Sequence, residues 1–258
     1  MTCPAEFVAL AERLADAAGP IVRAHFRTPV AVLDKADDSP VTIADREAEI
    51  AMRRLIEATH PDHGIVGEEH GSRNPDAEWV WVLDPIDGTK AFITGKPSFG
   101  TLVALLHRGK PVLGVIDQPI LDERWIGAAG RPTTLNGQPV RTRACPELGR
   151  AALYATMPEM FIGSDGERWA ALTRSVKLVR YGADCYAYAL LASGFVDAVV
   201  EALLKPYDYC ALIPIIEGAG GVVTDWNGLP LGLGSDGRVA AAGDPTLHAQ
   251  LVRVLGDA

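Results

Sequence analysis

Cysteine is scarce and scattered. The 258-residue chain holds four (Cys3, Cys145, Cys185, Cys210), with no Cys-x-x-Cys pair and no histidines at zinc spacing. They read as reduced packing residues, which sets redox and zinc roles aside. His-Glu-x-x-His is also absent; His63 and His70 flank an acidic strand end and read as solvent-facing loop residues. Long apolar runs are missing, because Asp, Gly or Pro breaks each one, so no spanning segment is expected. Glu6, Glu12 and Asp16 lie within a helical pattern at the N-terminus, unlike a secretory signal, and a cytoplasmic protein is expected. There is no Lys/Arg stripe, and net charge is −9. That argues against a nucleic-acid surface, where phosphate neutralisation supplies most of the affinity. The chain has no internal repeat and no Gly-x-x-x-x-Gly-Lys-Ser/Thr loop. Gly232-Leu-Gly234-Ser-Asp-Gly237 fits Gly-x-Gly-x-x-Gly, but it precedes a short strand instead of opening a helix after one.

What remains is an ordinary globular composition, 48% hydrophobic, long enough for one large or two modest domains. Apolar residues at helical spacing predict a helix over Ala5–Phe26, kinked or split by Pro20, and another over Asp45–Thr59 with Ile50, Leu55 and Ile56 buried. Thr42 or Asp45 would cap the second. Strands are expected at Gly64–Glu68, Trp79–Asp84, Gly100–Leu106, Pro111–Asp117 and Arg124–Ala128. Arg108-Gly109-Lys110 and Asn136-Gly137 supply hairpin turns. This part, residues 1–145, reads as helices on a largely antiparallel sheet. From 146 to 258, strands at Ala151–Ala155, Val176–Tyr181, Val196–Glu201, Val222–Asp225 and Val239–Ala242 alternate with helices near Asp165–Arg174, Asp184–Ala192, Asp208–Ala219 and Pro245–Leu255. That rhythm suggests a second, mixed or more parallel sheet. The fold class is α/β (α+β), built of layered sheets and helices.

Trp79-Val-Trp-Val-Leu-Asp84-Pro-Ile-Asp87-Gly-Thr89-Lys-Ala-Phe92 carries the densest signal. An apolar strand ends in two carboxylates at spacing three, stiffened by Pro85, then in a Gly-Thr turn. Such a pair can hold one or two hard divalent cations. The amides of Gly88 and Thr89 would face the same spot, where a phosphate fits. Gly67-Glu68-Glu69 ends a neighbouring strand, so one Glu can face the cations and the other solvent or a supporting partner. Asp208, just before a helix, reads as an N-cap or as a ligand closing the site from the second half. Asp45 poses the same question, as a cap or as an acid that orients water.

Leu83-Asp84-Pro85-Ile86-Asp87-Gly88-Thr89 with Phe92 resembles the signature of the inositol monophosphatase superfamily. Gly67-Glu68-Glu69, Asp208 and Gly218-Ala219-Gly220-Gly221 resemble its other markers. The motifs match in order and spacing from about Lys35 to Gly228. The resemblance implies a layered αβαβα sandwich of the inositol monophosphatase/fructose-1,6-bisphosphatase type and a Mg²⁺-dependent phosphomonoesterase with two or three Mg²⁺ per subunit. It implies that Glu68, Asp84 and the Ile86 carbonyl bind one metal, and that Asp84, Asp87 and Asp208 bind the next. Thr89, helped by Asp45, would orient the attacking water, while Gly88 and Thr89 hold phosphate and Lys35 lies near the entrance. A homodimer is the family's default. No side chain stands out as a nucleophile, so direct transfer to water is expected, without a phospho-enzyme.

Tyr181-Gly-Ala-Asp184-Cys-Tyr-Ala-Tyr, Phe195-Val-Asp-Ala-Val-Val-Glu201 and Leu204-Lys-Pro-Tyr-Asp208-Tyr resemble the bacterial histidinol-phosphatase branch, which acts in histidine biosynthesis. Tyr207 and Ala91 depart from the Trp and Asn of most inositol phosphatases. Histidinol phosphate carries an ammonium and an imidazole, which the carboxylates Asp184 and Glu201 can meet; Asp184 can equally be a helix cap. Inositol 1-phosphate, fructose 1,6-bisphosphate and 3′-phosphoadenosine phosphate are the alternatives within the superfamily. The last would want a stacking platform such as Tyr186 or Tyr188, which on a helix more naturally pack. A non-catalytic nucleotide-binding module would be expected to lose a metal carboxylate, and every one is retained.

Overall fold

The computed structural model describes residues 2–29, 31–34 and 40–256. In chain order come helix α1 (Ala5–His25), strands β1 (Val32–Asp34) and β2 (Pro40–Thr42), helix α2 (Ile43–Thr59), and strands β3 (Gly64–Gly67), β4 (Gly71–Arg73) and β5 (Trp79–Asp87). The short helix α3 (Thr89–Ile93) leads to β6 (Gly100–His107), β7 (Lys110–Gln118), β8 (Glu123–Ala128), β9 (Thr134–Leu135) and β10 (Gln138–Pro139). The remainder is β11 (Ala152–Ala155), α4 (Ser164–Thr173), β12 (Leu178–Tyr181), α5 (Cys185–Ala192), β13 (Ala198–Glu201), α6 (Pro206–Tyr209), α7 (Leu212–Gly218), β14 (Val222–Thr224), β15 (Val239–Ala242) and α8 (Pro245–Leu255).

Apart from the antiparallel pair β1–β2, two sheets organise the described residues. The larger runs β10-β9-β8-β7-β6-β5-β3-β4, and the smaller β12-β11-β13-β15-β14. In the first, only β3 and β5 pair in parallel; in the second, β11 pairs in parallel with β12 and β13, and β15 runs antiparallel to β13 and β14. Three apolar cores fill the gaps. α1 and α2 cover one face of the large sheet through Leu14, Met52 and Trp81. α5 and α7 lie between the sheets, where Leu102, Ile116, Tyr188, Ile215 and Val199 meet. α4 and α8 cover the outer face of the small sheet through Trp169, Trp226 and Leu251. The layers are therefore α, β, α, β, α, as the resemblance implies.

Local chemistry explains most elements. Asn136 and Gly137, at φ 48 and 77, form the β9–β10 turn, and Arg108 and Gly109, at φ 51 and 78, form the β6–β7 turn; both match the twist of the strands they join. α1 runs unbroken past Pro20, contrary to the expected kink or split. Pro20 is exposed there, so the ring faces solvent rather than the core. Thr42 caps α2, whose buried stripe contains two acids, Asp45 and Glu49, while Ile50 and Leu55 are only half-buried. His63 is not a loose loop residue. It is half-buried, accepts a hydrogen bond from the Trp81 indole (3.1 Å) and stacks on His60 (4.4 Å between centroids); burial pulls its pKa down. His70 is exposed, as expected. All four cysteines are free thiols, and no helix is long and apolar enough to cross a membrane, among the described residues.

Candidate active site

β5 changes character at its C-terminal end. Asp84 pairs with Leu102 and Asp87 with Gly100, so three steps on β5 face two on β6 and the strand bulges at Pro85-Ile86. Thr101 fixes the bulge by donating its hydroxyl to the Pro85 carbonyl (2.8 Å), and the Ile86 amide donates to Asp84 Oδ1 (3.0 Å). The bulge turns both acids toward one spot. Asp208 reaches that spot from α6 across the inter-sheet gap, and carboxylate oxygens of Asp84, Asp87 and Asp208 all lie within 4.8 Å of one another.

Packing acids this closely without a cation is unfavourable. Burial raises the pKa of Asp84 well above the usual carboxylate range, and Glu68, Asp87 and Asp208 push it further. Asp87 is raised too, by burial and then by Asp184 and Asp208, and Asp208 is pushed up to about 7, by burial first. Glu68 lines the same cleft and hydrogen-bonds Asp84. β3 ends at Gly67, so Glu68 and Glu69 sit in a turn and not in a continuing strand; the Glu68 amide is tied to the Leu83 carbonyl (3.2 Å). An all-oxygen, carboxylate-rich donor set fits a hard divalent cation such as Mg²⁺.

Asp45 and Asp208 both act as capping partners from the third helical position, and neither is the N-cap residue itself, which is Thr42 in α2 and Lys205 in α6. Asp45 Oδ2 accepts from the Thr42 amide (2.8 Å) and hydroxyl (2.6 Å), completing the cap of α2, while Oδ1 faces the Thr89 hydroxyl (3.4 Å). Its pKa is raised, chiefly by burial. Asp208 Oδ2 accepts from the Lys205 amide (2.7 Å) at the start of α6, so it caps that helix from inside the first turn.

Asp184 holds the N-cap position of α5 but makes no capping bond. Asp87 Oδ2 takes that place, accepting the Cys185 amide at 2.6 Å. Asp184 is left at φ 49, ψ −143, a conformation strained for any residue with a Cβ, and its side chain packs against Gly88. Burial raises its pKa to about 6, against the lowering pull of Lys96, Lys90 and Ser98. Gly88 itself is at φ 87, and a Cβ there would sit 2.9 Å from the Asp184 carboxyl carbon, so glycine is required twice over. It starts α3, whose first amides have no carbonyl partner inside the helix.

Glu201, at the end of β13, is buried and pushed up to about 7, by burial first; it accepts from the Thr156 amide (2.8 Å) and the Tyr188 hydroxyl (2.9 Å). Tyr186 instead donates to Glu123 (2.6 Å), so both tyrosines are engaged in packing and neither is free as a stacking platform. Glu68, Asp84, Asp87, Asp184, Glu201 and Asp208 thus line one cleft of about 290 Å³, with Ile86, Gly88 and Thr89 on its floor. Lys35 lies outside the described residues. Lys90, Lys96, Ser98 and Thr156, and the bond from Tyr188 to Glu201, escaped the sequence reading, because contacts made across elements leave no local pattern.

The fold and site together define a class: a layered sandwich whose inter-sheet cleft gathers carboxylates that could hold a metal ion. The chain matches the inositol monophosphatase family over residues 4–258 and belongs to it. It is 53% identical to the bifunctional phosphatase IMPL2 of Arabidopsis thaliana over 96% of this chain and 75% of that protein. It is 37% identical to a histidinol-phosphatase of Chlorobaculum parvum over 96% of each. An inositol monophosphatase from Zymomonas mobilis superposes with a TM-score of 0.90 at 48% identity, covering 97% of each chain.

Proposed function

We propose that this phosphatase hydrolyses L-histidinol phosphate to L-histidinol and phosphate, in a Mg²⁺-dependent reaction with direct attack by water. The observation that carries the reading is the pair of acids, Glu201 and Asp184, that lines the same cleft as Gly88 and Thr89. Glu201 is buried and held by two fixed donors, Asp184 is half-buried beside it in the cleft, and a cationic leaving group would relieve the cost of ionising them. The likeness to a named histidinol-phosphatase supports it.

Asp84, with Glu68 on one side and Asp87 and Asp208 on the other, would hold the cations. Bound there, they would neutralise phosphoryl oxygens and make water a better nucleophile near neutral pH. The protein's own residues do the rest. Gly88 and Thr89 amides receive the phosphoryl oxygens. The Thr89 hydroxyl, 3.1 Å from the Ile86 carbonyl and 3.4 Å from Asp45 Oδ1, accepts a hydrogen bond from the attacking water. A proton leaving that water passes through Thr89 Oγ1 to Asp45 Oδ1, whose raised pKa suits it to receive one.

Phosphate release from histidinol phosphate, inositol 1-phosphate and 3′-phosphoadenosine phosphate, each with Mg²⁺ and with chelator, tests the reading. A kcat/KM preference of about 100-fold for histidinol phosphate, roughly 2.7 kcal/mol in the transition state, is expected; equal or reversed preference refutes it. Inositol 1-phosphate is the second reading, favoured by the Zymomonas mobilis enzyme's likeness. We also propose a homodimer, to be checked by sedimentation.

A further inference from the structure

α2 places Asp45 at the site, and one turn later, on the same face, it carries a second buried acid, Glu49. The Glu49 side chain is wholly inaccessible to solvent. Its oxygens point at the turn after β3 and not into the cleft. Oε2 accepts from the Glu69 amide (2.7 Å), and Oε1 from the His70 amide (3.1 Å) and Arg53 Nε (2.6 Å). Arg53 reaches on to the Gly71 carbonyl. At Gly67 a side chain would overlap the Glu49 carboxylate, so the turn closes around that carboxylate because glycine stands there.

The peptides gripped in this way are those next to Glu68. The Glu68 amide is tied to β5 through Leu83, the residue before Asp84, and the following amides are tied to α2. Glu68 and Asp84 repel each other when ionised, which favours swinging the Glu68 turn away. A buried carboxylate on backbone amides, braced by a half-buried guanidinium, opposes that movement. The same rigid helix thereby fixes the distance between Asp45 and Glu68.

We propose that Glu49, braced by Arg53, is a positioning residue that presets Glu68 for the divalent cation. This rests on the reading of the cleft as a metal centre, but not on which ester is cleaved. Supporting groups of this kind typically alter metal affinity 10- to 100-fold.

The test is Mn²⁺ binding by the full chain without substrate, followed by electron paramagnetic resonance, in wild type, Glu49→Gln and Arg53→Lys, alongside Mg²⁺ activation curves. Glu49→Gln should weaken binding and raise the half-activating Mg²⁺ concentration by about 10- to 100-fold. At saturating Mg²⁺, kcat should return to within about threefold and substrate KM should not move. Arg53→Lys should shift the metal curves in the same direction by less. If Glu49→Gln does not fold, Arg53→Lys alone decides, and an unshifted curve for it overturns the proposal. Unchanged metal affinity in a folded Glu49→Gln protein also overturns it. A wild-type chain that binds no Mn²⁺ would instead refute the metal-centre reading itself.

Discussion

Thr89 has one proton and two acceptors within reach, the Ile86 carbonyl and Asp45, which leaves its oxygen free to receive a bond from water. Thr89→Ala should lower kcat by about 10²- to 10⁴-fold with little change in KM or melting temperature, because it removes a proton path rather than packing. Single-turnover assays check this; a large rise in KM with unchanged kcat would contradict it. Glu201 gives a pH signature. Its pKa rises from 4.5 to about 7 on folding, chiefly through burial. Its cost to stability is absent below about pH 4.5 and grows as pH rises to about 7, reaching about 3 kcal/mol. Glu201→Gln should therefore be more stable than wild type at pH 8 and similar at pH 4.5 in thermal melts. The KM of wild type for a cationic ester should fall as pH rises through about 7, and that fall should vanish in Glu201→Gln. Residues within one contiguous motif, Asp84 to Thr89, were legible in the sequence. Asp45 and Asp208 were not decidable as cap or site, since a carboxylate has two oxygens: in each, Oδ2 bonds the start of a helix, and we propose that the other oxygen serves the site.

At the scale of elements, most strand and helix positions followed from periodicity and turn chemistry, as at Asn136-Gly137, where two positive φ values demand those residues, but the helix expected over Asp208–Ala219 is two, α6 and α7, with turns at Cys210 and Ala211 between them. Pro20 misled because a proline on the exposed side of a long helix can be accommodated without ending it. The cap of α5 also escaped, because its acceptor is Asp87, ninety-eight residues away. That exchange has a measurable consequence. Asp184 is held in a strained conformation without capping anything, so Asp184→Gly should stabilise the fold by about 1 kcal/mol in denaturant titrations. It should also erode the preference for a cationic ester. A loss of about 1 kcal/mol would instead mean that Asp184 is the cap.

Across the whole molecule, the site exists only where two sheets face each other. Asp84, Asp87 and Glu68 come from the large sheet, Asp208 and Glu201 from the other side, and the core between them is shared. We propose residues 145–146 as the boundary between the halves, with the shared core making them unfold as one. The acid cluster makes metal-free protein sensitive to pH, since carboxyl groups with raised pKa values are protonated, and harmless, at low pH and repel at high pH. Mg²⁺ should raise the melting temperature more at pH 8 than at pH 5; at 100 times Kd the gain is about 2.7 kcal/mol. Equal gains at both pH values would contradict that. What the sequence could not supply was distance across this gap, which only the packing of α5 and α7 sets.

The most direct measurement is anomalous scattering from crystals of the protein grown with Mn²⁺ at pH 8. The account predicts a strong peak within about 2.3 Å of oxygens from both Asp84 and Asp87, with Asp208 completing the shell. Peaks confined to surface carboxylates, with the cleft acids left without an ion, would contradict it.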